Sequence, residues 1–283
     1  PHPTTRRQRQ MCIRDSFKDD ISVLEEEPNL WKGNLSDRWS IGSTPNGGYS
    51  MAFAAKAISN SLVHKDPLSI SANYLERLDF GETLVKVYPI HVTKSTSTAR
   101  AELIQQEKIK VIFTATFTDF SKSNGLDLSI RKEPNFEPYE NCILQPFKEG
   151  FNPTLEKNIE KKYCNDSLWW EKSHKENQAA LNLYMSWPEK ETADLFTLIL
   201  FLDATTPPIF NKLGSVGWVP TITLTSHIRG FPVSGPLKVS AKTEFVTKGF
   251  MEEDREIWDA DGNLVGQSCL LYTSDAADEW WWG

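Results

Sequence analysis

Two stretches decide the fold when laid over one another: Ser69-Ile70-Ser71-Ala72-Asn73-Tyr74 and Thr223-Leu224-Thr225-Ser226-His227-Ile228. A displacement of 154 residues carries the first onto the second without a gap. It also carries Gly81 onto Gly235, Glu102 onto Glu256, Leu103 onto Ile257 and Val111 onto Val265. Self-similarity at a fixed displacement is the mark of a duplicated unit. Two strand-rich segments can also look alike through composition alone.

The neighbouring elements repeat in the same order. Asn46-Gly47-Gly48 opens an apolar stretch, Tyr49–Ile58, whose composition favours a helix and whose alanines allow close packing on a sheet. After Asp66-Pro67 come strands at Leu68–Leu75, Glu82–Val92, Ala99–Gln106 and Lys110–Phe120. The last alternates, with Val111, Phe113, Ala115 and Phe117 on one face. In the second half Leu181–Trp187 reads as a leading strand, and Ala193–Phe210 as an apolar helix stopped by Pro207-Pro208. Strands follow at Thr221–Ile228, Leu237–Val246 and Glu252–Asp259, and Asp261-Gly262 signals a hairpin into Leu264. One long helix and an antiparallel meander, built twice, predict an α+β architecture with each sheet wrapped around one apolar helix. Ser121–Lys161 reads as a solvated linker and irregular lead-in, and the Glu156–Lys162 charge run as a solvated face.

Both chain ends carry strings foreign to such a unit. Arg6–Ser16 (RRQRQMCIRDS) is one reading frame of the transposase adapter used in DNA library preparation. Cys269–Glu279 (CLLYTSDAADE) is a frame of its reverse complement. Residues 1–16 and 269–283 are therefore set aside as adapter-derived segments with their flanks. The expected organisation is an N-terminal unit at 17–122, a linker at 123–160 and a C-terminal unit at 161–268. Cys142 and Cys164 remain, far apart in sequence and expected as free thiols.

Composition bounds the function. The chain has 283 residues, 39% apolar and 24% charged, with a net charge of −7. That is an ordinary soluble globular composition. No run approaches the ~18 apolar residues of a membrane span, and the acidic balance argues against a nucleic-acid surface. No G-x-S-x-G elbow, P-loop or dinucleotide fingerprint is present. His64, His91, His174 and His227 show no metal-ligand spacing. Trp169-Trp170 reads as a surface lead-in.

NGGYSMAFAAKAI (Asn46–Ile58) and DPLSISANYLER (Asp66–Arg77) resemble the first hotdog domain of the acyl-CoA thioesterase II-like proteins. VPTITLTSHIRG (Val219–Gly230) and EIWDADGNLVGQS (Glu256–Ser268) resemble their second. The resemblance implies a tandem, double hotdog fold and hydrolysis of acyl-CoA to free acid and CoA, with no metal and no organic cofactor. It implies a cytoplasmic setting and, by analogy with other hotdog proteins, a homo-oligomer. In the family an Asp on the second hotdog helix, a Thr on the next strand and a Gln on the last strand jointly hold the attacking water. Carried over, these are Asp203, in FTLILFLDATTPP, and Thr221, in VPTITL. The Gln falls on position 270, where this chain has Leu270 inside the adapter-like string.

The residues can be weighed on their own chemistry. Asp203 follows Leu198-Ile199-Leu200-Phe201-Leu202, where an ionised carboxylate is costly unless paired, and burial raises its pKa toward that of a general base. The alternative is a helix-end acid facing a solvent pocket or bonding nearby backbone. Thr221, Thr223, Thr225 and His227 share one face by alternation, and only the family match sets Thr221 apart. The backbone N–H groups at Gly47 and Gly48 are candidates for an oxyanion site, or simply a turn into a helix. Two further readings stay open: a non-catalytic acyl-thioester binding protein, favoured by Leu270, and a hotdog hydratase or dehydratase.

Overall fold

The computed structural model describes residues 13–171, 178–215, 217 and 219–273. Residues 1–12, 172–177 and 274–283, among them Lys172, His174 and most of both adapter-like strings, lie outside the described residues. The first half contains α1 (Ile13–Asp20), β1 (Leu24–Glu27), β2 (Leu30–Leu35), β3 (Ser40–Ile41), β4 (Thr44–Pro45), α2 (Gly47–Ser61), β5 (Asp66–Tyr74), β6 (Gly81–Val92), β7 (Ser97–Gln105) and β8 (Lys108–Thr118). The second contains β9 (Ile143–Leu144), α3 (Thr154–Asn158), β10 (Glu160–Tyr163), β11 (Ala180–Ser186), α4 (Leu195–Phe201), α5 (Ile209–Leu213), β12 (Thr221–Ile228), β13 (Leu237–Lys242), β14 (Val246–Thr247), β15 (Phe250–Trp258) and β16 (Leu264–Thr273).

All strands but β3 and β4 join one antiparallel sheet, in the order β1-β2-β6-β7-β8-β5-β12-β16-β15-β13-β11-β10-β9, with β14 added beside β15. The halves meet at β5 and β12, the two stretches that carry the repeat. Ser71 lies directly opposite Thr225, and their hydroxyls are 3.0 Å apart. Ser71 and Thr225, related by the displacement of 154, thus face one another across the seam, so a pseudo-twofold axis passes through this pair. Past the second hairpin the displacement becomes 155, because Leu103 faces Val111 whereas Ile257 faces Gly266. Gly266, not Val265, is the structural equivalent of Val111.

Alternation buries one face of the long central strands. Val111, Phe113, Ala115 and Phe117 are all buried, as expected. α2 packs on this face and against α4, so it is apolar nearly all round. Asn46 caps it, the side-chain oxygen accepting from Tyr49 N–H at 2.9 Å. The adapter-like CLLYT extends β16 to Thr273. Its own alternation, with Leu270 and Tyr272 buried and Leu271 outward, suits the strand.

Three expectations are corrected. The second helix is not one long element: α4 ends at Phe201, six residues before Pro207. A proline acts upstream, because it cannot donate to, and its ring clashes with, the carbonyl four residues earlier. For Pro207 and Pro208 those are the carbonyls of Asp203 and Ala204. The Glu156–Lys162 run is not a solvated face: the side chains of Lys161 and Glu156 are 1% and 8% exposed and pair at 2.8 Å. α3 belongs to the packed structure, with Leu155 fully buried. Trp169 and Trp170 are half-buried and make edge-on contacts with Phe210 and Tyr163. Cys142 and Cys164 are free thiols, as expected, but the fold brings their sulfurs to 3.7 Å.

Candidate active site

Past the end of α4 the carbonyls of Leu202, Asp203 and Ala204 have no backbone donor among the described residues, and that of Phe201 has only a long bond from Ala204 N–H at 3.5 Å. Each is taken by a side chain from a different element. Phe201 O accepts from Arg255 Nη1 at 3.3 Å and Leu202 O from Ser268 Oγ at 2.9 Å. Asp203 O accepts from Asn46 Nδ2 at 3.1 Å, and Ala204 O accepts from Lys161 Nζ. The missing proline donors are thus replaced by Asn46 from the first half and Lys161 from β10. The two cations also sit at the negative end of the helix dipole.

This arrangement presents the Asp203 carboxylate to the N-terminus of α2. Oδ2 accepts from Gly48 N–H at 2.7 Å and from Asn46 Nδ2 at 2.9 Å. Tyr74 closes the same corner, its hydroxyl donating to Gly47 O at 2.8 Å. The two glycines are required by this approach. A Cβ on Gly48 would lie 2.7 Å from Asp203 Cβ and 3.0 Å from the carbonyls of Ile199 and Leu200. One on Gly47 would lie 2.9 Å from Asp203 Oδ2. Gly48 N–H is therefore a seat for the carboxylate.

Asp203 is 7% exposed, and burial raises its pKa. The Arg255 charge, the Gly48 and Asn46 bonds and the Lys161 charge oppose the shift. Beneath it the inner face of the second sheet is polar. Arg255 and Glu253 form an ion pair with neither side chain exposed, and Tyr272 donates to Glu253 Oε2 at 3.0 Å. Burial raises Glu253 as well, with Arg255 the main opposing influence. Sequence reading missed Arg255, Glu253 and Lys161. Strand parity carried the signal: Met251 and Ile257 are buried, so residues 253 and 255 of the same strand face inward with them.

Thr221 does not share a face with Thr223. A bulge in β12 places Thr221 opposite buried Tyr272, while Thr223 pairs with Leu271 on the outer side. One extra residue re-aims a side chain to the other face. Leu270 lies between Leu224 and Glu253 on the inner face and is buried. On the flanking strands Ser226 Oγ and Arg255 Nε, which face Ser268 and so lie diagonal to Leu270, are buried with no hydrogen-bond partner among the described residues. An apolar side chain amid such groups leaves polar atoms unsatisfied. His227 is exposed on the outer face, and His64 bonds Ser97 Oγ at 2.7 Å. Among the described residues no cluster of His, Cys, Asp and Glu has the arrangement of a metal site.

Two meanders fused edge to edge, with a buried carboxylate held at the helix N-terminus between them, define a double hotdog protein with an acid at its centre. Residues 35–118 match the profile of the acyl-CoA thioesterase N-terminal domain, and residues 139–269 that of the C-terminal domain. The chain belongs to the acyl-CoA thioesterase family. A candidate thioesterase II from Thermobifida fusca YX superposes with a TM-score of 0.82 at 22% identity, covering 91% of this chain and 96% of that one. A protein of unknown function with a hotdog fold from Alicyclobacillus acidocaldarius gives 0.81 at 16% identity, covering 91% and 97%. An uncharacterised protein of Mycobacterium tuberculosis is 21% identical over 279 residues, 89% of this chain and 94% of that one. No helix among the described residues is long and apolar enough to cross a membrane.

Proposed function

We propose that this protein hydrolyses acyl-CoA thioesters, with Asp203 as the base that orients and deprotonates the attacking water. The observation that carries the reading is the asymmetry of the Asp203 carboxylate. Oδ2 accepts two hydrogen bonds from the first half, whereas Oδ1 takes none among the described residues. A carboxylate fixed by one oxygen keeps the other for a water. Thr221, turned inward by the bulge, is the second water holder, since its hydroxyl both donates and accepts. With Gly48 N–H engaged by Asp203, Gly47 is the member of the glycine pair left for the thioester oxygen. The resemblance puts a Gln at position 270, and the unpartnered Ser226 Oγ and Arg255 Nε around Leu270 suit a side chain with both donor and acceptor.

Leu270 as it stands favours a second reading, an acyl-thioester binding protein on the same fold. Thiol release from a short-to-long acyl-CoA panel, measured on the chain and its Leu270→Gln and Asp203→Asn variants, separates the two. Turnover that rises with Leu270→Gln and vanishes with Asp203→Asn is the expected result. Saturable acyl-CoA binding without turnover in any variant would establish the binder.

A further inference from the structure

Five carboxyl, ammonium and guanidinium side chains meet at the broken end of α4: Asp203, the Glu253–Arg255 pair on β15, and the Glu156–Lys161 pair from α3 and β10. Each cation has one glutamate, so Asp203 is the odd carboxylate of the set. We propose that Arg255 is a positioning residue for Asp203, its guanidinium gripping the Phe201 carbonyl two residues upstream and supplying the countercharge for the carboxylate. The role deepens the hydrolase reading and rests on it for its catalytic meaning; the contact geometry does not.

Several observations converge on Arg255. It is 1% exposed, too deep for solvent to screen it. Nη2 meets Glu253 and Nη1 meets Phe201 O, so the fork is fixed by one acid and by the helix end that carries Asp203. A lysine could not make both bonds in that geometry. Of the groups that oppose the effect of burial on Asp203, Arg255 ranks first and Lys161 last. The ionisable groups facing Asp203 from its packed elements are Arg255 and Glu253 on β15, Lys161 on β10, Tyr74 on β5 and Tyr272 on β16. Both tyrosines are held neutral by burial, which leaves Arg255 and Lys161 as the cations.

Removing Arg255 alone would strand Glu253 in the interior, so the test removes the pair together as Glu253→Gln/Arg255→Met. The readout is the titration of the Asp203 carboxyl by carbon-13 NMR on aspartate-labelled protein, its resonance assigned by loss in Asp203→Asn. The expected result is a folded double variant whose midpoint rises by about one pH unit, tenfold in proton affinity. Arg255→Lys, which keeps the charge, should stay within about 0.3 unit of the parent. An unmoved midpoint in the double variant overturns the proposal. So does a shift in Arg255→Lys as large as in the double variant, because a retained positive charge would then not be what holds the midpoint, and the countercharge role would fall. If the parent titrates as expected but hydrolyses no acyl-CoA, the hydrolase reading falls and the assignment of Arg255 to Asp203 stands.

Discussion

The two halves share a sheet and differ in what they line it with. On the inner face of the first half, Ala99, Ala101, Ala72 and Phe113 are buried apolar residues. Their equivalents in the second half, by the strand registers, are Glu253, Arg255, Ser226 and Ser268. The helices differ likewise. α2 runs unbroken from Gly47 to Ser61, while α4 stops at Phe201 and delivers Asp203 to the start of α2. One half supplies a rigid apolar floor and a helix N-terminus; the other supplies the charges. A duplicated backbone thus serves two purposes, and each half completes the other. Asn46 shows the interdependence, capping its own helix through Oδ1 and holding the opposite half through Nδ2.

Breaking this division should have graded consequences. The largest concerns Asp203, whose replacement by Asn should cut kcat/KM for acyl-CoA hydrolysis in the Leu270→Gln background by about 10²–10⁴-fold. The same variant should gain stability at neutral pH. Burial raises the folded-state carboxyl above its unfolded value, so the favourable contribution of the protonated form is complete below the unfolded pKa and lost as pH rises through the folded one. Thermal melts from pH 4 to 8 should show the Asn variant's advantage growing with pH; a constant difference would contradict a raised Asp203.

Making the first half resemble the second should be nearly as severe. Ala101→Arg, at the position equivalent to Arg255, would bury a charge without an acid beside it. A loss of about 3–5 kcal/mol in urea unfolding is expected. Adding Ala99→Glu to give it the partner seen in the second half should recover part of that loss. No recovery would show that the pair alone is not what the second half relies on.

Gly48→Ala tests the contact between halves directly. Its Cβ would press Asp203 and two carbonyls of α4, and a loss of about 1–3 kcal/mol is expected with hydrolysis impaired as well. Gly81→Ala provides the contrast: beyond its chain neighbours no heavy atom of the described residues lies within 4 Å of its added Cβ, so its cost comes from the positive φ of 102°. The smallest effect belongs to the symmetry axis. Thr225→Val removes the hydroxyl contact with Ser71 at the half-exposed seam and should cost about 0.5–1 kcal/mol. A larger loss would mean that the seam depends on this pair more than on the backbone ladder.

Much of the architecture was legible in the chain. β12 has the bounds read from alternation, and the remaining expected strands lie within a few residues of the observed ones or, at Leu237–Val246, end earlier. The repeat matched the two strands, β5 and β12, that the structure pairs at the seam, but the pairing itself was not read from it. Asp203 stood out as an acid ending an apolar helix. The orientation of Thr221 was not legible, because a bulge changes strand parity without a signal in the residues around it. Counting four residues back from Pro207-Pro208 does mark Asp203 and Ala204 as carbonyls that lose a helical donor, though not the end of α4 at Phe201.

By itself, then, the sequence determined the local order: which segments alternate, where turns fall, that the unit occurs twice, and that Asp203 ends an apolar stretch. These follow from side-chain periodicity and backbone chemistry within a few residues. Only the tertiary structure decided what meets Asp203. Asn46 comes from 157 residues away and Lys161 from the segment expected to be a solvated linker. Carbonyls freed by the prolines had to find donors in a water-poor interior. Which donors those are depends on how strands from both halves are brought together, and that information is not carried by neighbours in the chain.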